Sequence, residues 1–197
     1  MPFDYYEHLR PKQKATYRRS DAVLRLPIPD GPSLAPLLEA LRTALEADDR
    51  SALGRSVTEL TKELMARWNV APVTVRVLAR RPKDEESELH GLYVREADGT
   101  AVISLWMRTA AQVRPVRFRT FVRTFAHEVL HHLDFELLEL EDTFHTAGFF
   151  QRESDVTRQL LGDRPKPAGR IRPPARPRDA PADEQLSLFA TPGRKPR

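Results

Sequence analysis

The amino-acid sequence predicts an α+β fold in which helices pack on a small three-stranded sheet. Two helical patterns come first along the 197-residue chain, three strand-like runs follow, and two more helical patterns come after the strands. Helices and strands that are segregated in this way are typical of helices packed on a small antiparallel or mixed sheet. Hydrophobic residues make up 40% of the chain, which suffices for a core of modest size.

The two helical patterns before the strands each place apolar residues on one face. The first begins at Ser33, a possible N-cap, and its apolar positions are Leu34, Leu37, Leu38, Leu41 and Leu45. The second spans about residues 51–68, and its apolar positions are Leu53, Val57, Leu60, Leu64 and Trp68. Apolar residues three or four positions apart lie on the same side of a helix, so both patterns predict amphipathic helices.

Three strand-like runs follow, at residues 73–80, 89–96 and 101–108. The last two are separated by a short stretch that contains Asp98 and Gly99, a dipeptide that favours a hairpin turn. The third run could pair with an extended peptide by adding a strand to the sheet. An ordinary core strand is the more common explanation of such a run.

The longest helical pattern begins after Pro115 and continues to about Leu140. Its apolar stripe consists of Phe118, Val122, Phe125, Val129 and Leu133. A neighbouring polar stripe consists of Thr120, Thr124, His127, His131 and Asp134. A helix that packs with one stripe and faces a cleft with the other suits an active site. A shorter helix is predicted for residues 147–161.

Within the longest helix, His127, Glu128 and His131 match the H-E-x-x-H pattern of the zincin-type active-site helix. The two histidines lie one turn apart on the same face, where both imidazoles can reach one zinc ion. Zinc lowers the pKa of a bound water, and the adjacent Glu128 can take its proton and later deliver that proton to a leaving amine. The pattern therefore predicts peptide hydrolysis with Glu128 as the catalytic residue. His132 points to another side of the helix, so a packing or supporting role is expected for it.

A catalytic zinc ion usually has three protein ligands and leaves a fourth position to water. The chain contains no cysteine, so the ligands must be His, Asp or Glu. His145 lies at the predicted start of the next helix and is the preferred third ligand. The acidic alternatives are Asp134, Asp142, Glu153 and Asp155, of which Asp134 is better placed to orient a histidine than to bind the metal.

The chain resembles the SprT-like (Spartan) family of zinc metallopeptidases over one stretch. The stretch consists of HEVLHH, a linker at residues 133–143, and FHTAGFF. In that family the H-E-x-x-H helix is followed by a third histidine and by an aromatic residue four positions beyond it, which here are His145 and Phe149. The resemblance extends over about residues 33–161 and is specific over residues 127–150.

The resemblance implies that zinc is bound by His127, His131 and His145 and that Glu128 is the general base and acid. It also implies a substrate class, proteins that are bound or crosslinked to DNA. Many SprT relatives carry a cysteine-rich zinc ribbon after the core, and this chain departs from them because it has no cysteine.

Residues 1–32 are polar and basic with scattered prolines, which predicts an irregular arm before a metallopeptidase domain at residues 33–161. The N-terminus lacks the apolar segment of a secretory signal. No apolar run approaches the roughly 18 residues of a membrane span. We therefore expect a cytoplasmic protein without membrane contact.

Residues 162–197 have the composition of a disordered basic tail. They contain nine Lys or Arg and four Asp or Glu, a net charge of +5, and eight of the 17 prolines. Such a segment buries too little apolar surface to offset the entropy lost on ordering. Five of its arginines could contact DNA phosphates or could serve solubility alone: Arg164, Arg170, Arg172, Arg176 and Arg178.

One apolar cluster interrupts the tail, and it consists of Gln185, Leu186, Ser187, Leu188 and Phe189. An isolated apolar cluster in a disordered segment is suited to docking into the pocket of a partner. The sequence QLSLF resembles the peptide that binds the bacterial sliding clamp, so the clamp is the expected partner. Such a tether would raise the local concentration of the protein at replication sites, on the nucleoid.

Three functions agree with these features. The first is a zinc-dependent endopeptidase that acts on DNA-bound or DNA-crosslinked proteins and is tethered to the replication clamp. The second is a non-catalytic clamp- or DNA-binding adaptor with a structural metal, which a closed four-ligand site would favour. The third is a metallopeptidase that cleaves one specific regulator and does not respond to DNA.

Overall fold

The computed structural model describes residues 3–80, 91–96, 98–108 and 114–163. These residues form five α-helices, two short 3-10 helices at Asp4–His8 and Gly31–Leu34, and three strands. In chain order the elements are α1 (Pro11–Ala22), α2 (Ala35–Glu46), α3 (Arg50–Trp68), β1 (Thr74–Arg80), β2 (Gly91–Arg95), β3 (Ala101–Arg108), α4 (Phe118–Glu136) and α5 (Ala147–Leu160). The predicted α+β class with a small three-stranded sheet is confirmed. No helix in the described part of the chain has both the length and the apolar composition that crossing a membrane requires.

The three strands form a mixed sheet with the order β1-β3-β2. β3 is parallel to β1 and antiparallel to β2, and the β2–β3 turn contains Gly99 with a positive φ of 87°. The hairpin expected from Asp98 and Gly99 is therefore present. The suggestion that the third strand accepts an extended peptide is wrong, because both edges of β3 are already paired. The edge strands are β1 and β2.

α3 and α4 pack against the sheet and together supply 13 of the 28 buried residues of the apolar core. The predicted apolar stripes of these two helices are buried except at Phe118, which is only partly buried. No surface is exposed on Leu53, Val57, Leu60 and Leu64 of α3 or on Val122, Phe125, Val129 and Leu133 of α4. Each such side chain stabilises the fold by about 1.5–3 kcal/mol through its removal from water. This packing fixes the position of α4, so the residues on its polar stripe have a rigid support.

The N-terminal segment is helical rather than irregular. Pro11 begins α1, where its missing N–H costs nothing, and Tyr17 and Ser20 of this helix are buried. The sequence of α1 has no apolar period, so the pattern of residues could not reveal it. Polar contacts dock it instead: the Gly148 N–H at the start of α5 donates to the Asp21 carboxylate at 2.8 Å.

The predicted start of α2 differs slightly from the observed one. Ser33 does not cap the helix; it lies in a 3-10 helix, and its hydroxyl donates to the Asp30 carbonyl at 3.0 Å. The tail, residues 164–197, lies outside the described residues, and so do the disorder and the clamp-binding motif predicted for it.

Candidate metal centre

His127 and His131 lie one turn apart in the middle of α4, as their spacing predicts. Their Nε2 atoms point to the same place and are 3.2 Å apart. The packed apolar stripe of the same helix fixes the backbone of both residues, and the partners of their outer nitrogens, Glu153 and Thr143, orient the rings. α4 therefore presents two imidazole nitrogens in one fixed direction.

His145 reaches the same point from the segment between α4 and α5. Its Nε2 atom lies 3.0 Å from Nε2 of His127 and 3.2 Å from Nε2 of His131. The next residue, Thr146, caps α5 by accepting a hydrogen bond from the Phe149 N–H at 2.9 Å. The cap fixes the point where the chain enters α5, and this places His145 against α4.

The three nitrogens have the spacing that a tetrahedral metal ion requires. Ligand nitrogens that lie 2.0–2.1 Å from a tetrahedral zinc ion are about 3.3 Å from one another. The observed separations of 3.0, 3.2 and 3.2 Å are close to this value. Within the described part of the chain, these three histidines form one group of side chains that could hold a metal ion.

The outer nitrogen of His127 is occupied by a carboxylate. Nδ1 of His127 lies 2.8 Å from Oε2 of Glu153, and the other oxygen of Glu153 accepts from Nε of Arg123. Burial raises the pKa of Glu153, but the hydrogen bonds from His127 and Arg123 outweigh burial and lower it overall. An ionised Glu153 only accepts hydrogen bonds, so the proton of His127 is on Nδ1 and Nε2 carries a lone pair.

The outer nitrogen of His131 is occupied by a hydroxyl group. Nδ1 of His131 lies 2.8 Å from Oγ1 of Thr143, and this hydroxyl donates to the Asp134 carboxylate at 2.8 Å. A hydroxyl has one hydrogen, so Thr143 must accept from the Nδ1–H of His131. The lone pair of His131 is therefore on Nε2 as well, facing that of His127.

Protons compete weakly for two of the three histidines, His131 and His145, at neutral pH. Burial, followed by the neighbouring imidazoles, lowers the pKa of His131 well below its ordinary value. The same causes lower the pKa of His145 to about 4. Metal ligands must be deprotonated, so these two histidines are already in the state that binds a cation.

The acidic alternatives for the third ligand are all used elsewhere. Asp134 and Glu153 bond to the outer sides of the histidines or to their partners. Asp142 accepts from the Thr143 N–H, and Asp155 pairs with the side chains of Arg158 and Gln159. None of the four joins the histidine group, so the described residues supply three ligands and no fourth.

Glu128 is buried between α4 and the edge strand β2. Its carboxylate accepts a hydrogen bond from the Tyr93 N–H of that strand. Burial raises the pKa of Glu128 to about 7, although His127 and the Tyr93 hydrogen bond act to lower it. Glu128 is not one of the three grouped ligands, and a carboxyl group with a pKa of about 7 can exchange a proton at neutral pH.

Phe149 forms an apolar wall behind the three histidines. Its ring centroid lies 5.1 Å from that of His127, 4.9 Å from that of His131 and 5.2 Å from that of His145, and the side chain is fully buried. This wall keeps water from one side of the cluster and restricts the imidazole orientations. The aromatic residue that the family pattern singles out is thus in contact with every candidate ligand.

Two residues near the motif do not face the centre. His132 has Nε2 at 2.8 Å from the Ala71 carbonyl and Nδ1 at 3.3 Å from the Tyr93 hydroxyl, which is the expected packing role. Arg152 is fully buried and bonds to Asp134 and to α1, so it cannot reach a substrate. Neither residue can stabilise an oxyanion.

Comparison of the chain with protein-family models, curated proteins and solved structures found no match. The resemblance to the SprT-like family therefore rests on the motif residues alone and remains a prediction.

Proposed function

We propose that this protein is a zinc-dependent endopeptidase. The observation that carries the proposal is the pairing of a three-histidine group with Glu128. Glu128 is a buried carboxylate next to His127 in the chain, and it is not a member of the ligand group. A structural zinc site usually has four protein ligands, whereas a catalytic site has three and leaves one position for water or substrate. Three ligands without a fourth among the described residues favour the catalytic type.

Each residue has a defined task in this mechanism. His127, His131 and His145 would hold the zinc ion, which when bound would supply Lewis-acid chemistry for peptide hydrolysis. Glu128, with a pKa near neutrality, takes a proton from the attacking water and delivers it to the departing amine nitrogen. Glu153 and Thr143 keep the Nδ1 protons of two ligands in place, which leaves the Nε2 lone pairs directed inward.

The substrate could bind as an extended strand along β2. This strand has β3 on one side, and within the described residues no strand pairs with its other side. Tyr93 of β2 contacts Glu128, so a peptide added to this edge would pass beside the general base.

DNA-bound or DNA-crosslinked proteins are the substrate class that the family resemblance suggests. The tail would bring the enzyme to them, with QLSLF on the sliding clamp and the tail arginines on DNA phosphates. A cytoplasmic, nucleoid-associated location agrees with both partners. The competing function is an adaptor with a structural metal, which would bind the clamp or DNA and cleave nothing.

The first test is metal content by mass spectrometry on the purified full chain. We expect one zinc ion per chain in the wild type, loss of zinc in His145→Ala, and full zinc in His8→Ala, which removes an exposed histidine far along the chain from the motif. Full zinc in His145→Ala would contradict the three-histidine site.

The second test separates the enzyme from the adaptor. A protein crosslinked to DNA and the same protein free in solution are incubated with wild type and with Glu128→Gln, with and without added sliding clamp. We expect cleavage by the wild type, faster on the crosslinked substrate, and no cleavage by Glu128→Gln although its zinc content is unchanged. Equal cleavage by the wild type and by Glu128→Gln would show that Glu128 has no role in the mechanism. No cleavage by the wild type would favour the adaptor function.

A further inference from the structure

Arg152 of α5 is fully buried, and its guanidinium group joins α1 to α4. Nη1 donates to the carbonyls of Ser20 and Val23, at 2.5 and 2.7 Å, where α1 ends. Nη2 donates to the Ser20 hydroxyl at 3.0 Å and to Oδ1 of Asp134 at 2.8 Å. A planar guanidinium that is held from two sides has one orientation, so it fixes these groups relative to one another.

The same chain of hydrogen bonds continues to a metal ligand. Oδ2 of Asp134 accepts from the Thr143 hydroxyl at 2.8 Å, and Thr143 lies 2.8 Å from Nδ1 of His131. An unbroken path therefore runs from Ser20 through Arg152, Asp134 and Thr143 to His131.

The N-terminal segment is docked to the metal centre by further contacts. Arg19 donates to the carbonyls of Leu138 and Glu139, at 3.1 and 3.2 Å, in the segment that leads from α4 to the third ligand. The Tyr5 hydroxyl donates to the carbonyl of His145 at 3.0 Å. α1 and the segment before it thus contact both ends of the α4–α5 segment, which carries the third ligand.

We propose that Ser20, Arg152, Asp134 and Thr143 form a relay through which the docking of α1 sets the orientation of His131 and hence the affinity for the metal. The four are positioning residues, since none of them faces the point where the three Nε2 atoms meet. The N-terminal segment is then part of the metal centre and not an arm outside the domain. The inference rests on the metal-binding part of the proposed function and does not require peptidase activity.

Burial explains why the relay must work as a unit. The side chains of Arg152 and Asp134 have no solvent exposure, so each charge depends on the other. An unpaired buried charge is costly, and therefore neither partner can turn away without a replacement. The two effects are linked. If docking of α1 raises the affinity for the metal by some factor, then metal binding must favour the docked state of α1 by the same factor.

The relay is tested at Thr143, which carries no charge and contacts His131 directly. Thr143→Val keeps the shape of the side chain and removes both hydrogen bonds, whereas Thr143→Ser keeps the hydroxyl. The matched control is Thr157→Val, because the Thr157 hydroxyl on α5 is buried and has no hydrogen-bond partner. The readout is the zinc dissociation constant of the full chain, measured by competition with a chromophoric chelator, together with the thermal midpoint of the metal-free protein.

We expect Thr143→Val to bind zinc about 10–100-fold more weakly than the wild type, since loss of a group that orients a ligand has this effect. Thr143→Ser should restore most of the affinity, and Thr157→Val should bind as the wild type does. The metal-free midpoint of Thr143→Val should fall modestly, because Asp134 and His131 each lose a hydrogen-bond partner, but the metal-free variant should still unfold cooperatively, which a general loss of folding would not give. The metal-free midpoints of Thr143→Ser and Thr157→Val should be close to that of the wild type. Wild-type affinity in Thr143→Val would overturn the proposal.

A double-mutant cycle tests whether α1 acts through the relay. Ser20→Ala should weaken zinc binding severalfold in the wild-type background and should have no further effect in Thr143→Val, because the path is already cut there. Equal effects in both backgrounds would refute the relay.

The outcomes also separate this inference from the proposed function. A wild type that binds zinc, shows the coupled affinities and cleaves nothing would sustain the relay and reject the peptidase. A wild type that binds no zinc would reject both.

Discussion

Gly91 lies against the side chain of Glu128, with no room between them for even a methyl group. A Cβ atom built on Gly91 would lie 2.6 Å from Cγ and 2.8 Å from the carboxyl carbon of Glu128. Real Cβ atoms do not approach other carbons so closely, so any other residue here would displace the glutamate. The glycine at the start of β2 is therefore what allows the carboxylate to lie under the edge strand.

The first prediction follows from this contact. Gly91→Ala should lower the cleavage rate by about 10²-fold, because a positioned general base contributes about 10²–10⁴-fold and the new methyl group displaces it. Zinc content should be unchanged, since the three histidines are not touched. A wild-type cleavage rate in this variant would show that the position of Glu128 is not critical.

The matched control for Gly91→Ala is Gly54→Ala. Gly54 is inside α3, and a Cβ there would meet nothing within 4 Å. This change should leave cleavage unaltered and raise the free energy of unfolding by up to about 1 kcal/mol, because alanine favours a helix more than glycine does.

The second prediction concerns the partner of His127. Glu153→Gln keeps an oxygen that can accept from Nδ1 but removes the charge that also holds Arg123. We expect zinc to bind about tenfold more weakly, at the lower end of the range for loss of such a partner. Arg123→Gln should have a smaller effect, because the Arg123 side chain is 62% exposed and its ion pair is screened by water. Zinc competition titrations of the two variants check the order, and a larger effect from Arg123→Gln would contradict it.

The third prediction concerns the contact between α1 and α5. A Cβ on Gly148 would lie 2.7 Å from the carbonyl carbon and 2.8 Å from the Cα atom of Asp21. Backbone cannot yield as a flexible side chain can, so Gly148→Ala should lower the free energy of unfolding by about 1–3 kcal/mol. Urea unfolding of this variant and of Gly54→Ala measures the difference, and equal midpoints would show that α1 is not firmly docked.

The sequence predicted the parts of the centre that depend on local spacing. His127, Glu128 and His131 are placed by the period of one helix, and His145 follows closely enough to be suspected. Arg152 and Ser20 are 132 positions apart, and no local pattern links them. Gly91 was missed for the same reason, since its importance comes from a residue on another element.

The N-terminal helix shows the limit of pattern reasoning most clearly. Its buried residues are Thr16, Tyr17 and Ser20, two of them polar, so the apolar period that reveals α3 and α4 is absent. Hydrogen bonds dock α1, and these are visible only when the partner segments are brought together.

The last prediction concerns the stability of the metal-free protein as a function of pH. The pKa of His145 is lowered from 6.5 to about 4 in the folded state, chiefly by burial, and that of His131 is lowered well below 6.5. Between these values the two histidines bind more protons in the unfolded chain than in the folded one, so their contribution to the free energy of unfolding decreases as the pH falls from about 6.5 towards 4. Glu128 and Asp134 act in the opposite direction, because burial raises the pKa of each in the folded state, to about 7 and about 6. Urea midpoints of chelator-treated protein at several pH values in this window measure the sum of these contributions, and a variant of His145 separates the histidine part.

The matched variant His145→Asn isolates the contribution of one imidazole from that of the carboxylates, which titrate in the same range. The urea midpoint of this variant should depend less on pH than that of the wild type. The asparagine side chain does not titrate in this range, whereas the imidazole of His145 takes up a proton more readily in the unfolded chain than in the folded one. Zinc added to the wild type should raise the midpoint most near neutral pH and least near pH 4, where protons compete with the metal for His145 in the folded state. A wild type and a variant with the same pH dependence would show that His145 is not in a buried, proton-excluding site. The spacing of the three nitrogens would then lose its support as a metal centre.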